Sequence, residues 1–190
     1  MDELAVIIPM AGYGQRFKDA GYNDYKPFIK IKEKYMINLA LEPYPKNIKK
    51  YLIVNPNLLS ESQLNYLKNI ENTEVLEIGG HKNGPSYSIF LVKDQLPKNY
   101  SYFISYVDIF WTWNFDEVKT KLNYPGIIFT RREFHPHLFK NNFSAFCKPR
   151  LDNSNILEEI KEKGSFTNDH MNEPLSIGTF YFKSAEDMLD

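Results

Sequence analysis

The chain has 190 residues, 43% hydrophobic and 25% charged, which suits one soluble globular domain with a buried core. A net charge of -1 supplies no global field for nucleic acid or an acidic membrane, so an anionic ligand must be met by a few placed cations. The single cysteine, Cys147, excludes an internal disulfide framework, and the apolar stretch in MDELAVII is too short for a signal peptide or a membrane span. A cytoplasmic protein is expected.

In chain order, residues 5–9 predict a strand that empties into Met10-Ala11-Gly12-Tyr13-Gly14-Gln15-Arg16-Phe17. This turn is neither common phosphate loop: Phe17 stands where the dinucleotide fingerprint needs a third glycine, and no Gly-Lys-Ser/Thr is present. Helices are predicted over 35–41, 60–69 with Ser60 as N-cap, 85–94 and 115–122. Strands are predicted over 51–55, 75–78, 102–107 and 126–130, their apolar runs lacking strict alternation, as in strands buried on both faces. The second half changes character, with strands expected at 143–148, 156–160 and 177–182 joined by longer loops. The fold class is therefore α/β: a Rossmann-like, mostly parallel sheet flanked by helices, with a mixed α/β extension in the C-terminal half. Ligands of such sheets sit at the carboxyl ends of the strands, which places the loops after Pro9, Gly79 and Val107 on one rim.

The residues on that rim suit a nucleotide. Gly12 and Gly14 permit positive φ and a close approach of backbone N–H groups, and Arg16 adds a bidentate cation. Lys26, just before Pro27, is a second cation. Gly84, Pro85 and Ser86 open a helix whose N-terminus points at the rim. Asp108 offers a carboxylate at a strand tip, as a Mg²⁺ bridging phosphates needs. Trp111 and Trp113 follow, more suited to a pocket wall or core than to stacking, and Asp116 fits the first turn of the next helix. His135 and His137 flank a proline without a third ligand at metal spacing. The run Glu158–Lys163 alone would be a solvated strand end or helix.

IIPMAGYGQRF, AGYNDYKPFIKI and KYMI together resemble the bacterial sugar-phosphate nucleotidylyltransferases, within them a group associated with capsule and surface polysaccharide, and the resemblance runs along nearly the whole chain. It implies a glycosyltransferase-A-like fold and Mg²⁺-dependent transfer of a nucleoside monophosphate from an NTP, with CTP, UTP and dTTP foremost. The acceptor would be a sugar 1-phosphate or related phosphorylated metabolite, with pyrophosphate released. By motif, Met10, Ala11, Gly12, Tyr13 and Gly14 wrap the nucleotide, Arg16 meets the β- and γ-phosphates, and Lys26 the α-phosphate. Gly84, Pro85 and Ser86 meet the base, Asp108 holds the metal, and Glu162, Lys163, Gly178 and Thr179 border the acceptor. Tyr25 departs from the family's proline, which predicts a less rigid loop.

The family's second metal aspartate has no counterpart here, since Asp187 and Asp190 lie on a helix, so a single nucleotidyltransferase domain incomplete at its C-terminus is expected. Alternatives are a CTP-dependent cytidylyltransferase acting on a non-sugar phosphate, a glycosyltransferase of the same scaffold, or a non-catalytic nucleotide-binding module. The glycosyltransferase is disfavoured because Asp108-Ile109-Phe110 stands where it needs Asp-x-Asp. The expected partners are small molecules, with neither nucleic acid nor membrane among them and self-association left open.

Overall fold

The computed structural model describes residues 3–133, 145–152 and 154–189. His135, His137 and the first two residues of the strand expected at 143–148 lie outside the described residues.

Strand β1 (Glu3–Pro9) leads to the short helix α1 (Gln15–Asp19), a 3-10 turn (Lys26–Phe28), the small hairpin β2 (Lys30–Ile31) and β3 (Lys34–Tyr35), and helix α2 (Met36–Leu41). Then come β4 (Lys49–Val54), α3 (Glu61–Lys68), β5 (Thr73–Glu77), α4 (Pro85–Val92), β6 (Tyr100–Ser105) and α5 (Phe115–Lys119). The remaining elements are β7 (Gly126–Arg131), β8 (Ala145–Pro149), β9 (Leu157–Glu162), β10 (Leu175–Phe182) and α6 (Ala185–Leu189). No described helix is long and apolar enough to cross a membrane.

The chain forms two compact units, Met1–Ile127 with Phe180–Asp190, and Ile128–Thr179. In the first, four strands run in the order β5-β4-β1-β6, and each neighbouring pair is parallel. Register follows from the apolar runs: Ile7 lies opposite Tyr51 and Ile104, and all three are buried. Both faces of β1 are covered, since Ala5, Val6, Ile7 and Ile8 are each fully buried. Burying each of the larger of these side chains contributes about 1.5–3 kcal/mol, more than the weak β-propensity of any one residue. Parallel pairing puts the carboxyl ends of all four strands on one edge.

Helix starts in this unit have local causes. Ser60 and Gln63 form a reciprocal capping box at α3. Gly84, at φ 84, turns the chain into α4 and Pro85 takes the first helical position, where its missing N–H costs nothing. Asn114 caps α5 by accepting from the Glu117 N–H at 3.3 Å, and Asp116 sits in the first turn as expected.

The second unit holds the antiparallel pair β8–β9, from Ala145 opposite Glu162 to Pro149 opposite Leu157, with Leu175 pairing on Phe146. Every residue of β9 is exposed, so the charged run Glu158–Lys163 is largely a solvated strand. Glu173, 9% exposed, anchors a loop by accepting from the N–H groups of Phe166 and Thr167 at 2.8 and 2.6 Å and from the Thr167 hydroxyl. Burial opposes its charge, yet these hydrogen bonds prevail and hold its carboxyl below the usual range.

Candidate functional site

The rim begins where β1 ends. The Met10 N–H still donates to the Ile53 carbonyl at 2.9 Å, so the loop leaves the sheet only after Met10. Met10 and Ala11 are 5% and 1% exposed, which makes them the buried floor of the turn. Of the two loop glycines only Gly14 takes the left-handed conformation, at φ 64, where it precedes α1. Gly12 has an ordinary φ and open space where a side chain would stand.

Arg16 lies in the first turn of α1, exposed, and forms no ion pair among the described residues. Lys26 is held differently. Its Nζ sits 2.7 Å from Asp108 Oδ2 and 5.0 Å from the centre of the Phe17 ring. The two side chains are 23% and 38% exposed, so their attraction is partly screened and worth no more than about 1 kcal/mol. Gly14 backs onto Lys26, the nearest atom to a Cβ placed there being Lys26 Cβ at 3.6 Å.

Tyr25 corrects the expectation of a looser loop. Its side chain is 7% exposed and its hydroxyl donates to the Met10 carbonyl. Burial pushes the phenol pKa well up, which keeps that proton in place as a donor. A hydrogen bond thus joins the glycine loop to the turn carrying Lys26.

The loop after β5 closes the other side. Ile78 N–H donates to the Val54 carbonyl at 2.9 Å, so Gly79 and Gly80 emerge beside the end of β4. A Cβ on Gly80 would collide with the Tyr13 hydroxyl and lie 2.8 Å from Asn55 Nδ2. The glycine therefore permits Tyr13 to close over it. Further on, the Asn83 N–H donates to His81 Nδ1 at 3.3 Å, which leaves the ring proton on Nε2 to donate to Ser88 Oγ at 2.9 Å. That direction gives Ser88 no base, so the pair is a latch holding the loop to α4.

Trp111 and Trp113 pack into an aromatic cluster with Tyr44 and Phe103, and the Trp113 indole donates to the Pro43 carbonyl at 2.5 Å. They serve the core. Ser86 lines an apolar groove of about 320 Å³ with Tyr87, Ile89, Phe90, Ile104, Met188 and Leu189; no charged residue faces it, which suits no triphosphate.

In the second unit, Lys163 takes φ 59, an uncommon conformation for a side chain of its size, and its Nζ stands 3.6 Å from Glu162. Lys161 is already engaged, donating to the Ser165 carbonyl at 2.9 Å and lying over Phe166. Gly178 lies within β10 at φ 71, its N–H donating to Ser176 Oγ at 3.2 Å, and Thr179 is fully buried.

A divalent cation would find a hard oxygen donor in Asp108. Among the described residues no group of three metal-ligating side chains occurs. One carboxylate nevertheless fits Mg²⁺, which commonly takes one or two from the protein and the rest of its shell from water and substrate phosphates.

No protein-family model matches the sequence. No curated protein matches it either. Solved structures do. The nucleoside-diphosphate-sugar pyrophosphorylase of Vibrio cholerae RC9 superposes at a TM-score of 0.76 with 19% identity, over 97% of this chain and 75% of that one. The fold is that of the nucleotide-sugar pyrophosphorylases. The UTP-bound UGPase of Acinetobacter baumannii matches at 0.69 with 16% identity, over 99% of this chain and 76% of its own. HddC of Yersinia pseudotuberculosis matches at 0.65 with 18% identity, over 100% and 80%.

Within that fold the first unit brings Lys26 against both Asp108 and Gly14 of the glycine loop, while Arg16 makes no ion pair among the described residues and Ser86 lines the apolar groove. Glu162, Lys163, Gly178 and Thr179 belong to the second unit. Sequence reasoning missed Asn55 as a rim residue, and it placed the loop after Gly79 on the rim without singling out Gly80. For Asn55 the available signal was a polar residue directly after the apolar run Tyr51–Val54.

Proposed function

We propose that the protein is a nucleotidylyltransferase, moving a nucleoside monophosphate from an NTP to a phosphorylated small-molecule acceptor and releasing pyrophosphate. The observation that carries this reading is the Lys26–Asp108 pair beside the glycine loop, at the carboxyl ends of β1 and β6, with Arg16 left unpaired nearby in sequence. The same fold in enzymes of nucleotide-sugar metabolism supports it.

An oxygen of the acceptor's phosphate attacks the α-phosphorus in line, forming a new P–O bond as the bond to the pyrophosphate breaks. No protein nucleophile is needed, and the protein's task is alignment and neutralisation of charge. Lys26 exchanges Asp108 for the α-phosphate, and Arg16 takes the charge that gathers on the leaving pyrophosphate. Asp108, released from Lys26, is the carboxylate that would hold Mg²⁺, which supplies Lewis-acid stabilisation of the phosphates when bound. Gly84, Pro85 and Ser86 contribute to the base site, and Glu162, Lys163, Gly178 and Thr179 to the acceptor site. A sugar 1-phosphate is the first acceptor to test, a non-sugar phosphate activated by CTP the second. A role in surface-polysaccharide synthesis follows from the sequence resemblance.

The test is pyrophosphate release from the four NTPs against a panel of phosphorylated metabolites, with and without Mg²⁺. Lys26→Ala and Asp108→Ala should each lower turnover by at least roughly 100-fold while circular dichroism stays unchanged. Near-normal release by either variant would refute the assignment. Lys163→Ala should raise KM for the acceptor and leave KM for the NTP alone.

A further inference from the structure

We propose that Asn55 reads the nucleobase, donating through Nδ2 to a carbonyl oxygen on the base of the bound nucleotide. The inference rests on the nucleotidyl-transfer reading and adds a selectivity residue to it. Asn55 follows the last residue of β4 and is 2% exposed. Its neighbours place it on the rim. Ile53 accepts from Met10 at the start of the glycine loop, and Val54 accepts from Ile78, just before Gly79.

Only half of the amide serves the fold. Asn55 Oδ1 accepts from the Asn57 N–H at 3.1 Å and so caps the 3-10 turn Pro56–Leu58. A serine hydroxyl or an aspartate oxygen would cap that turn equally well. The Nδ2 donor meets no acceptor among the described residues. Asn55 as a residue is 2% exposed, but Nδ2 is not among the fully buried unpartnered atoms of the described residues, so this donor stays open to a partner arriving at the rim. Because Oδ1 is committed to Asn57, the amide cannot flip without losing the cap, so the NH₂ is what it shows the ligand.

The direction of that NH₂ is also marked. It lies 2.8 Å from the point where a Cβ on Gly80 would stand, and the Tyr13 hydroxyl reaches the same point. Two polar groups from two loops thus converge where position 80 carries no side chain. A donor there pairs with the carbonyl oxygen that projects from uracil, thymine, cytosine or guanine, whereas adenine offers acceptors only as nitrogens within its rings and no projecting oxygen. Tyr13, 38% exposed and able both to donate and to accept, can serve the adjoining base atom.

Titration of wild type, Asn55→Asp and Asn55→Ser with UTP, CTP, dTTP, GTP and ATP by calorimetry, without acceptor, tests this. Both variants keep an oxygen for the Asn57 cap, and the serine adds no charge. Wild type should bind the best carbonyl-bearing nucleotide more tightly than ATP. Asn55→Ser should lose roughly five- to tenfold of that affinity with ATP unaffected, the loss expected of one neutral hydrogen bond. Asn55→Asp should lose more for every nucleotide through charge repulsion and should still narrow the preference. Equal loss for ATP and the others in Asn55→Ser, or no loss at all, overturns the role of Asn55 and leaves the transferase reading standing. A selective loss with no pyrophosphate release by wild type supports Asn55 and sinks transfer alone. If wild type binds none of the five, both fall.

Discussion

Gly80 is a residue whose value lies in what it lacks. Its φ is ordinary, so alanine fits the backbone, but the added methyl would occupy space now held by the tip of Tyr13 and approach Asn55 Nδ2 to 2.8 Å. Tyr13 is an exposed, mobile-ended side chain and can swing away cheaply. Gly80→Ala should therefore shift the melting temperature by less than about 3 °C, since the strain is relieved at the surface. It should raise KM for the nucleotide several-fold, because Tyr13 leaves the rim. A large stability loss with unchanged KM would show that Gly80 serves packing instead. In the sequence Gly79, Gly80 and Gly84 look alike. Only the folded loops show that Gly84 is needed for its φ of 84 and Gly80 for its missing Cβ. The pairing of Lys26 with Asp108 was equally illegible, since each stands alone in its segment and only parallel β1 and β6 bring them together. Their separate selection as a cation and a carboxylate was legible, because each follows a strand end or a glycine loop.

Among the elements, the parallel strands could be read because their apolar runs are unbroken, and α3 because Ser60 and Gln63 write its start into the chain. Helix α1 and the hairpin β2–β3 escaped, at five residues and two residues per strand, being too short for periodicity to register. Lys50 misleads in the other direction: a lysine near the start of a strand reads as solvent-exposed, yet it is 4% exposed. Its Nζ donates to the carbonyls of Lys46, Ile48 and Glu71 at 2.7, 3.0 and 2.9 Å, tying the entry of β4 to the turn before β5. Burial lowers its pKa, partly offset by the charge of Glu71. Lys50→Met keeps the length and leaves three carbonyls without this donor, which should cost about 2–3 kcal/mol. Urea unfolding should show the loss as a lower midpoint at unchanged slope. A midpoint equal to wild type would mean that water replaces the ammonium at no cost.

At the scale of the molecule, the first unit's core is unusually phenolic. Tyr51 and Tyr102 stand on the same face of the sheet, on the two strands flanking β1, ring centres 6.4 Å apart, 2% and 0% exposed, and Tyr25 is nearly as buried beneath the glycine loop. Burial raises all three pKa values. Tyr51 is pushed up to about 12, with the charges of Glu74 and Glu3 adding to the effect, while Tyr102, beside Tyr51, and Tyr25 rise further. In the unfolded chain each phenol ionises near its ordinary value of about 10. Above that pH the unfolded state holds fewer protons than the folded one, so stability falls as pH rises and is largest below about 10. Three phenols acting together make the fall steep. Tyr25 adds a functional consequence, because its proton bridges to Met10 and its loss would release the glycine loop. An alkaline titration should therefore show nucleotide affinity and far-UV circular dichroism holding to about pH 10. Beyond it they should collapse together, with a late rise in phenolate absorbance. Phenolate absorbance that completes near pH 10 with the secondary structure intact would refute the buried-phenol account. Tyr25→Phe should keep the alkaline midpoint of the fold close to that of wild type, since two raised phenols remain, and should weaken nucleotide binding already at neutral pH. Those two readouts separate the tyrosine that serves the site from the two that serve the core.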